Sequence, residues 1–183
     1  MTIPNYITAV RMAVMPVFLA CVIGYTPERD GLRHAAFFLY AAAALSDILD
    51  GNIARYFGQV SRLGKRLDPL ADKLLINLSF IFVAANGHFD PSLPLWAPPL
   101  FLARDIYIVL GAYYINERYG PFKVIPQVSG KTTTVLQMAL IISVLLANPL
   151  TTALLVASLA AALWSTVDYT FAGFRQYRER RQD

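Results

Sequence analysis

The chain has 183 residues, of which 56% are hydrophobic and 15% charged, with a net charge of +4 and a mean hydropathy of +0.47. A charged fraction so far below the roughly 25% of an ordinary soluble domain excludes a water-soluble globule and points to an integral membrane protein. A lone cysteine, Cys21, excludes an internal disulfide or a cysteine-based metal site, and no Ser/Gly-rich linker or repeat divides the chain, so residues 1–183 are taken as one domain.

In chain order, apolar windows long enough to cross a bilayer fall near 7–25, 33–54, 69–86, 94–116, 132–148 and 151–172. The separators are strong breakers: Thr26-Pro27 with Arg29-Asp30-Gly31, then Asn86-Gly87-His88 through Pro94, Gly120-Pro121 and Asn148-Pro149. No ten-residue alternating segments argue for a membrane β-barrel. The first window lacks a basic flank and a small-residue cleavage site, so it is expected to be the first span rather than a signal peptide. The expectation is an all-α integral membrane protein with six transmembrane helices in one bundle.

Six spans place both termini on one side. That side collects Arg55, Arg62, Lys65, Arg66, Lys73, Arg118, Lys123, Lys131, Arg175, Arg178, Arg180 and Arg181, whereas the other carries only Arg29 and Arg33. Basic residues accumulate on cytoplasmic loops, so the rich side is expected to face the cytosol. The tail at 173–183, which contains FRQYRERRQD, reads first as a topology anchor and also suits contact with anionic lipid headgroups.

The most informative segment is SDILDGNIARYFGQVSRLGKRLDPLADK, where Asp47, Asp50, Asp68 and Asp72 interrupt a very apolar chain. Carboxylates at membrane depth are costly and persist where they meet an interior, a partner or an ion. Asp47 and Asp50 are three residues apart and Asp68 and Asp72 four apart, so on two helices each pair shares one face. All-oxygen ligands suit hard cations such as Mg²⁺ or Mn²⁺, which also bind substrate phosphates. The chain's two histidines, His34 and His88, fall on the outer side and make zinc a poor reading. Gly51, Ala54, Gly58 and Gly64 leave room for close approach, and Arg55 supplies a fork-shaped phosphate donor. Each residue alone reads equally well as an ion-pair partner, a helix contact or a snorkelling cation. Together they indicate metal-assisted chemistry on an activated lipid.

The pattern Asp47-x2-Asp50-Gly51-x2-Ala54-Arg55-x8-Gly64-x3-Asp68-x3-Asp72 resembles, position for position, the signature of the CDP-alcohol phosphatidyltransferase family. The segments IPNYITAVRMAVMPVF and SGKTTTVLQM are similar to the opening and the fifth span of its glycerophospholipid members, so the resemblance covers most of the chain. It implies a six-helix membrane fold, a homodimer, a polar cavity open to the cytosol, and a location in the bacterial inner (plasma) membrane. It further implies transfer of a phosphatidyl group from CDP-diacylglycerol to an alcohol with release of CMP. By position, Asp47, Asp50, Asp68 and Asp72 would hold a two-metal site, with Asp72 also the general base. Gly51, Ala54, Arg55 and Gly64 would bind CDP.

The acceptor is less sharply marked. Glycerol 3-phosphate, used by the phosphatidylglycerophosphate synthases of this family, needs further basic residues, and Arg104, Lys131, Arg118 and Lys123 are the candidates. Many such synthases read Arg-Glu followed by Leu-Arg in the fourth span and Gly-Lys-x-Lys-Thr before the fifth; here the segments read LARDIYIVLGAYY and GKTTT. The Arg104-Asp105 pattern resembles instead the cardiolipin synthases of the same family, whose acceptor is phosphatidylglycerol. Both acceptors stay open, with glycerol 3-phosphate placed first because its synthases are common among short six-span members.

Other polar residues have plainer readings. Arg104 and Asp105 are neighbours that face different directions on a helix, so a mutual pair is not expected. Arg104 serves an acceptor pocket or pairs with another helix, and Arg11 lies near the cytosolic interface. Asp168 is expected to be an interhelical hydrogen-bond partner. Tyr107, Tyr113, Tyr114, Trp96 and Trp164 suit interfacial belts or packing, which disfavours nucleic-acid binding. A cation transporter is a distant alternative; it accounts for four acidic residues but not for Arg55, the glycines or the clustering at one membrane face.

Overall fold

The computed structural model describes the backbone of residues 3–57, 64–119 and 127–180, and the side chains of residues 10–46, 73–118, 127–175 and 178. The described residues form six α-helices: α1 (Ile3–Gly24), α2 (Asp30–Phe57), α3 (Gly64–Asn86), α4 (Ala97–Tyr119), α5 (Val128–Leu145) and α6 (Thr151–Arg180). A single 3-10 turn, Pro27–Arg29, leads into α2, and there is no strand among the described residues. The all-α expectation therefore holds. α5 and the segment Thr151–Arg175 of α6 are each long and apolar enough to cross a membrane, and Val10–Gly24 and Lys73–Asn86 are shorter apolar stretches.

The helix ends follow from local chemistry. Asp30 opens α2 and pairs with Arg33 at 2.8 Å, a carboxylate placed where the helix dipole favours it. α3 stops at Gly87, whose φ of +69° is the left-handed conformation that glycine adopts without penalty. Pro98 and Pro99 sit in the first turn of α4, where the missing N–H groups have no helical partner to lose. α5 ends in a Schellman turn: Asn148 N–H donates to Ser143 C=O at 2.9 Å and Ala147 N–H to Val144 C=O at 3.0 Å, with Ala147 at φ +51°.

The helices assort into two compact units, each built from two stretches of chain. One comprises 1–95 and 141–151, the other 96–140 and 152–183. In the first, α1 packs against both α2 and α3. Its core is Phe18 and Val22 from α1, Ala36, Tyr40, Ala43 and Ala44 from α2, and Leu75, Ile76, Phe80 and Val83 from α3. The alanines let backbones approach closely, and the Phe18 and Tyr40 rings meet at 5.5 Å. At one end, Asn86 of α3 caps the exit of α1, its amide donating to the carbonyls of Val22 at 2.8 Å and Tyr25 at 3.1 Å.

The second unit buries a set of small polar side chains among its apolar ones, while its outer surface is largely apolar. Ser129, Thr133 and Gln137, spaced by four residues along α5, are buried, as are Ser158 and Ser165 on α6. Ile106, Val109, Leu110 and Tyr113 of α4 and Val156, Leu163, Val167 and Phe171 of α6 are exposed. That distribution suits helices whose surroundings are hydrocarbon and whose mutual adhesion comes from small and hydrogen-bonding side chains. Trp96, Trp164 and Tyr114 are exposed as well, in keeping with a belt or packing role.

Candidate functional site

The eight signature positions lie on two consecutive helices. Asp47, Asp50, Gly51, Ala54 and Arg55 belong to α2, and Gly64, Asp68 and Asp72 to α3. Their side chains lie outside the described residues, as does Gly58 entirely, so backbone register defines the site. At 1.5 Å per residue, all four aspartates fall within about 15 Å of the α2 C-terminus or the α3 N-terminus. The acidic positions are therefore gathered toward the helix ends that flank residues 58–63.

The register carries more. On α2 the buried face runs through Ala36, Tyr40, Ala43 and Ala44, and Asp47 follows at the next helical step, four residues after Ala43 and three after Ala44. On α3 the buried face runs back through Val83, Phe80, Ser79, Ile76 and Leu75, and Asp72 precedes it by the same step, with Asp68 one turn further. By backbone register, Asp47, Asp68 and Asp72 thus fall in line with the buried positions of two helices that both pack on α1. Among the residues whose side chains are described, no group of three potential metal ligands comes together, and His34 and His88 are exposed. Donor type fits a hard divalent cation, since carboxylate oxygens are the ligands such ions select.

The second unit holds the acceptor candidates, of which Arg104, Arg118 and Lys131 have described side chains. On α4 the Arg104 guanidinium bonds to Asp105 at 2.7 Å and to the hydroxyl of Ser165 on α6. The mutual pair that adjacency argued against is formed, because the long arginine side chain bends back to a carboxylate one residue away. Nearby, the Tyr107 and Thr170 hydroxyls meet at 3.1 Å, a second tie between α4 and α6. Lys131 is exposed in the first turn of α5.

Two contacts between α5 and α6, and one from Gln127 just ahead of α5, set the level of these groups. Ser129 donates to Asp168 at 2.5 Å, Thr133 donates to the Ala161 carbonyl at 3.0 Å, and the Tyr169 hydroxyl accepts from Gln127 N–H at 3.2 Å. Asp168 is the interhelical partner expected of it. Ser165 lies between Ala161 and Asp168 on α6, and Lys131 lies between their partners Thr133 and Ser129 on α5. Arg104, tied to Ser165, is therefore level with Lys131. Arg118 is exposed in the last turn of α4, about 21 Å further along that helix. Lys123 lies outside the described residues. Arg11 is buried in the first unit, with 4% of its surface exposed.

Ser129, Ser165 and Tyr169 were not legible as site-organising residues. The available signal was the four-residue repeat of Ser129, Thr133 and Gln137 within an apolar span, which marks a polar helix face needing partners.

The family model for CDP-alcohol phosphatidyltransferases matches residues 1–164. The chain is similar to the CDP-diacylglycerol–glycerol-3-phosphate 3-phosphatidyltransferase of Aquifex aeolicus, at 33% identity over 96% of this chain and 97% of that protein. It is also similar to the CMP-forming cardiolipin synthase of Streptomyces coelicolor, at 33% identity over 94% of this chain and 80% of that one. A CDP-diacylglycerol–glycerol-3-phosphate 3-phosphatidyltransferase of Pseudomonas fluorescens is 31% identical over 95% of this chain and 91% of its own. A full-length match of this kind leaves no room for the transporter reading: the chain belongs to the CDP-alcohol phosphatidyltransferase family.

Proposed function

We propose that the protein transfers the phosphatidyl group of CDP-diacylglycerol to the hydroxyl of a glycerol-type acceptor. The acceptor oxygen forms a new bond to the β-phosphorus as the bond to CMP breaks, and the acceptor proton passes to the Asp72 carboxylate. The observation that carries this reading is the register by which Asp47, Asp68 and Asp72 extend the buried faces of α2 and α3, in a chain of this family.

Each residue has a defined task in that scheme. Asp47, Asp50, Asp68 and Asp72 suit a pair of Mg²⁺ or Mn²⁺ ions, which when bound would offset the charge of the pyrophosphate and of the departing CMP. Gly51, Ala54 and Gly64 leave space for the nucleotide, and Arg55 bonds its phosphates. An alcohol is a weak nucleophile at neutral pH, so a positioned carboxylate taking its proton contributes about 10²–10⁴ in rate.

The helices sit in the membrane as six spans, with a polar cavity, both termini and the signature facing the cytosol. The basic residues of the 2–3 and 4–5 connections and of the tail support that orientation. The location is the bacterial inner (plasma) membrane, and the working form is a homodimer, both as the resemblance implies.

Glycerol 3-phosphate is the acceptor placed first, held by Arg104, Lys131, Arg118 and Lys123. Phosphatidylglycerol is second. The observation favouring it is that Arg104 already neutralises Asp105 and is committed to Ser165, which leaves less charge for a terminal phosphate. The test is to incubate the purified protein with labelled CDP-diacylglycerol and both acceptors in competition, then identify the lipid formed. Phosphatidylglycerophosphate establishes the first reading and cardiolipin the second; release of CMP with neither would refute both.

A further inference from the structure

The start of α5 is keyed to α6 at consecutive points. Ser129, 1% exposed, donates its hydroxyl to Asp168 Oδ2 at 2.5 Å. The neighbouring Tyr169 accepts the Gln127 N–H at 3.2 Å. A methyl group on Gly130 would stand 3.0 Å from the Tyr169 hydroxyl and 3.1 Å from its Cε2, so the ring lies directly against the glycine backbone. The next residue is Lys131, which is exposed.

These contacts restrain different movements. A single bond from Ser129 to Asp168 would leave α5 free to turn about that point. The Tyr169 ring against Gly130, with its hydroxyl on Gln127 N–H, removes that freedom. A carboxylate beside a helix N-terminus is additionally favoured by the helix dipole. The arrangement fixes both the height and the rotation of the turn that carries Lys131.

We infer that Asp168 and Tyr169 are positioning residues that set the first turn of α5 and thereby aim Lys131 at the acceptor phosphate. This rests on the reading of Lys131 as an acceptor-binding cation. Lysine is a point charge on a flexible stem, so the protein controls where it acts chiefly by fixing where the stem begins. A binding group must be held to about 0.5 Å by supporting contacts to be effective. Neither Asp168 nor Tyr169 is assigned to the nucleotide or to the signature aspartates, so their loss should register on the acceptor alone.

The experiment measures KM for both substrates, with the full chain in lipid nanodiscs and whichever of glycerol 3-phosphate or phosphatidylglycerol the wild type uses. Asp168→Ala and Tyr169→Ala are expected to raise the acceptor KM about tenfold while leaving that of CDP-diacylglycerol unchanged. Asp168→Asn should recover most of the loss, because its amide oxygen still accepts the Ser129 hydroxyl. A merely structural role would lower the maximal rate through loss of folded enzyme and leave both KM values in place, and that result would overturn the inference. Lys131→Gln separates the two layers. If it raises the acceptor KM while the α6 variants do not, positioning alone is refuted; if it has no effect, the acceptor role of Lys131 falls and positioning falls with it. Should Asp168→Ala fail to fold, Ser129→Ala deletes the same bond and is read by the same criteria.

Discussion

Arg104 and Asp105, adjacent on α4, form an ion pair at 2.7 Å with side chains only 9% and 13% exposed. Removing one member of so enclosed a pair takes away the other's ionic partner inside the protein, which costs more than removing both. Arg104→Ala is therefore expected to destabilise the protein by about 3 kcal/mol, and Arg104→Ala with Asp105→Ala by less than that single change. Thermal unfolding of the single and double variants in one detergent checks this; equal or additive losses would contradict it.

Ala147 occupies the left-handed position that closes α5, at φ +51°. Glycine adopts that conformation without the Cβ clash that alanine suffers. Ala147→Gly is expected to stabilise the fold by about 1 kcal/mol, visible as a raised unfolding temperature.

Asn86 satisfies the carbonyls of Val22 and Tyr25 and accepts His88 N–H at 3.0 Å. Asn86→Ala leaves three backbone groups without that partner and should cost about 1–3 kcal/mol of stability. Along α3, Asn86 is about 21 Å from Asp72, so the turnover of the folded fraction should not change. A fall in turnover per folded molecule would contradict that separation.

Asp72→Asn keeps the shape of the side chain but cannot take a proton. In metal-supplied enzyme its turnover is expected to drop by about 10²–10⁴. Activity near wild type in metal-supplied enzyme would remove Asp72 from the general-base role.

Much of the fold was legible because apolar windows and Gly/Pro breakers are strong signals in a lipid-facing chain. The windows at 33–54 and 69–86 correspond to α2 and α3, but both helices run further toward the signature, to Phe57 and from Gly64. Hydropathy falls off where charges accumulate, at Arg55 on one side and at Lys65, Arg66 and Asp68 on the other, whereas the helical backbone continues through them. α5 begins at Val128, ahead of the window at 132, because Ser129, Gly130 and Lys131 are polar yet helical, and it ends at Leu145 because a Schellman turn takes up Leu146 to Asn148. α6 extends through the basic segment to Arg180 for the same reason as α2.

The four aspartates stand out in the sequence because carboxylates are rare in such apolar surroundings, whereas their side chains lie outside the described residues. The Arg104–Asp105 pair departs from expectation because a long side chain reaches a neighbour that backbone direction alone places elsewhere. The links of Ser129 to Asp168 and of Arg104 to Ser165 join residues 39 and 61 positions apart, a relation that no local pattern encodes.

Gathering of divalent ions by the four carboxylates of α2 and α3, where CMP leaves, underlies every step proposed for the reaction. It is tested most directly by CMP release from CDP-diacylglycerol with saturating acceptor, as Mg²⁺ or Mn²⁺ is titrated into chelator-treated wild type and into Asp47→Asn, Asp50→Asn, Asp68→Asn and Asp72→Asn. The account predicts no release from the chelated wild type, recovery on adding metal, and at least a hundredfold loss in each variant. Undiminished release in chelator, or from all four variants, would contradict it.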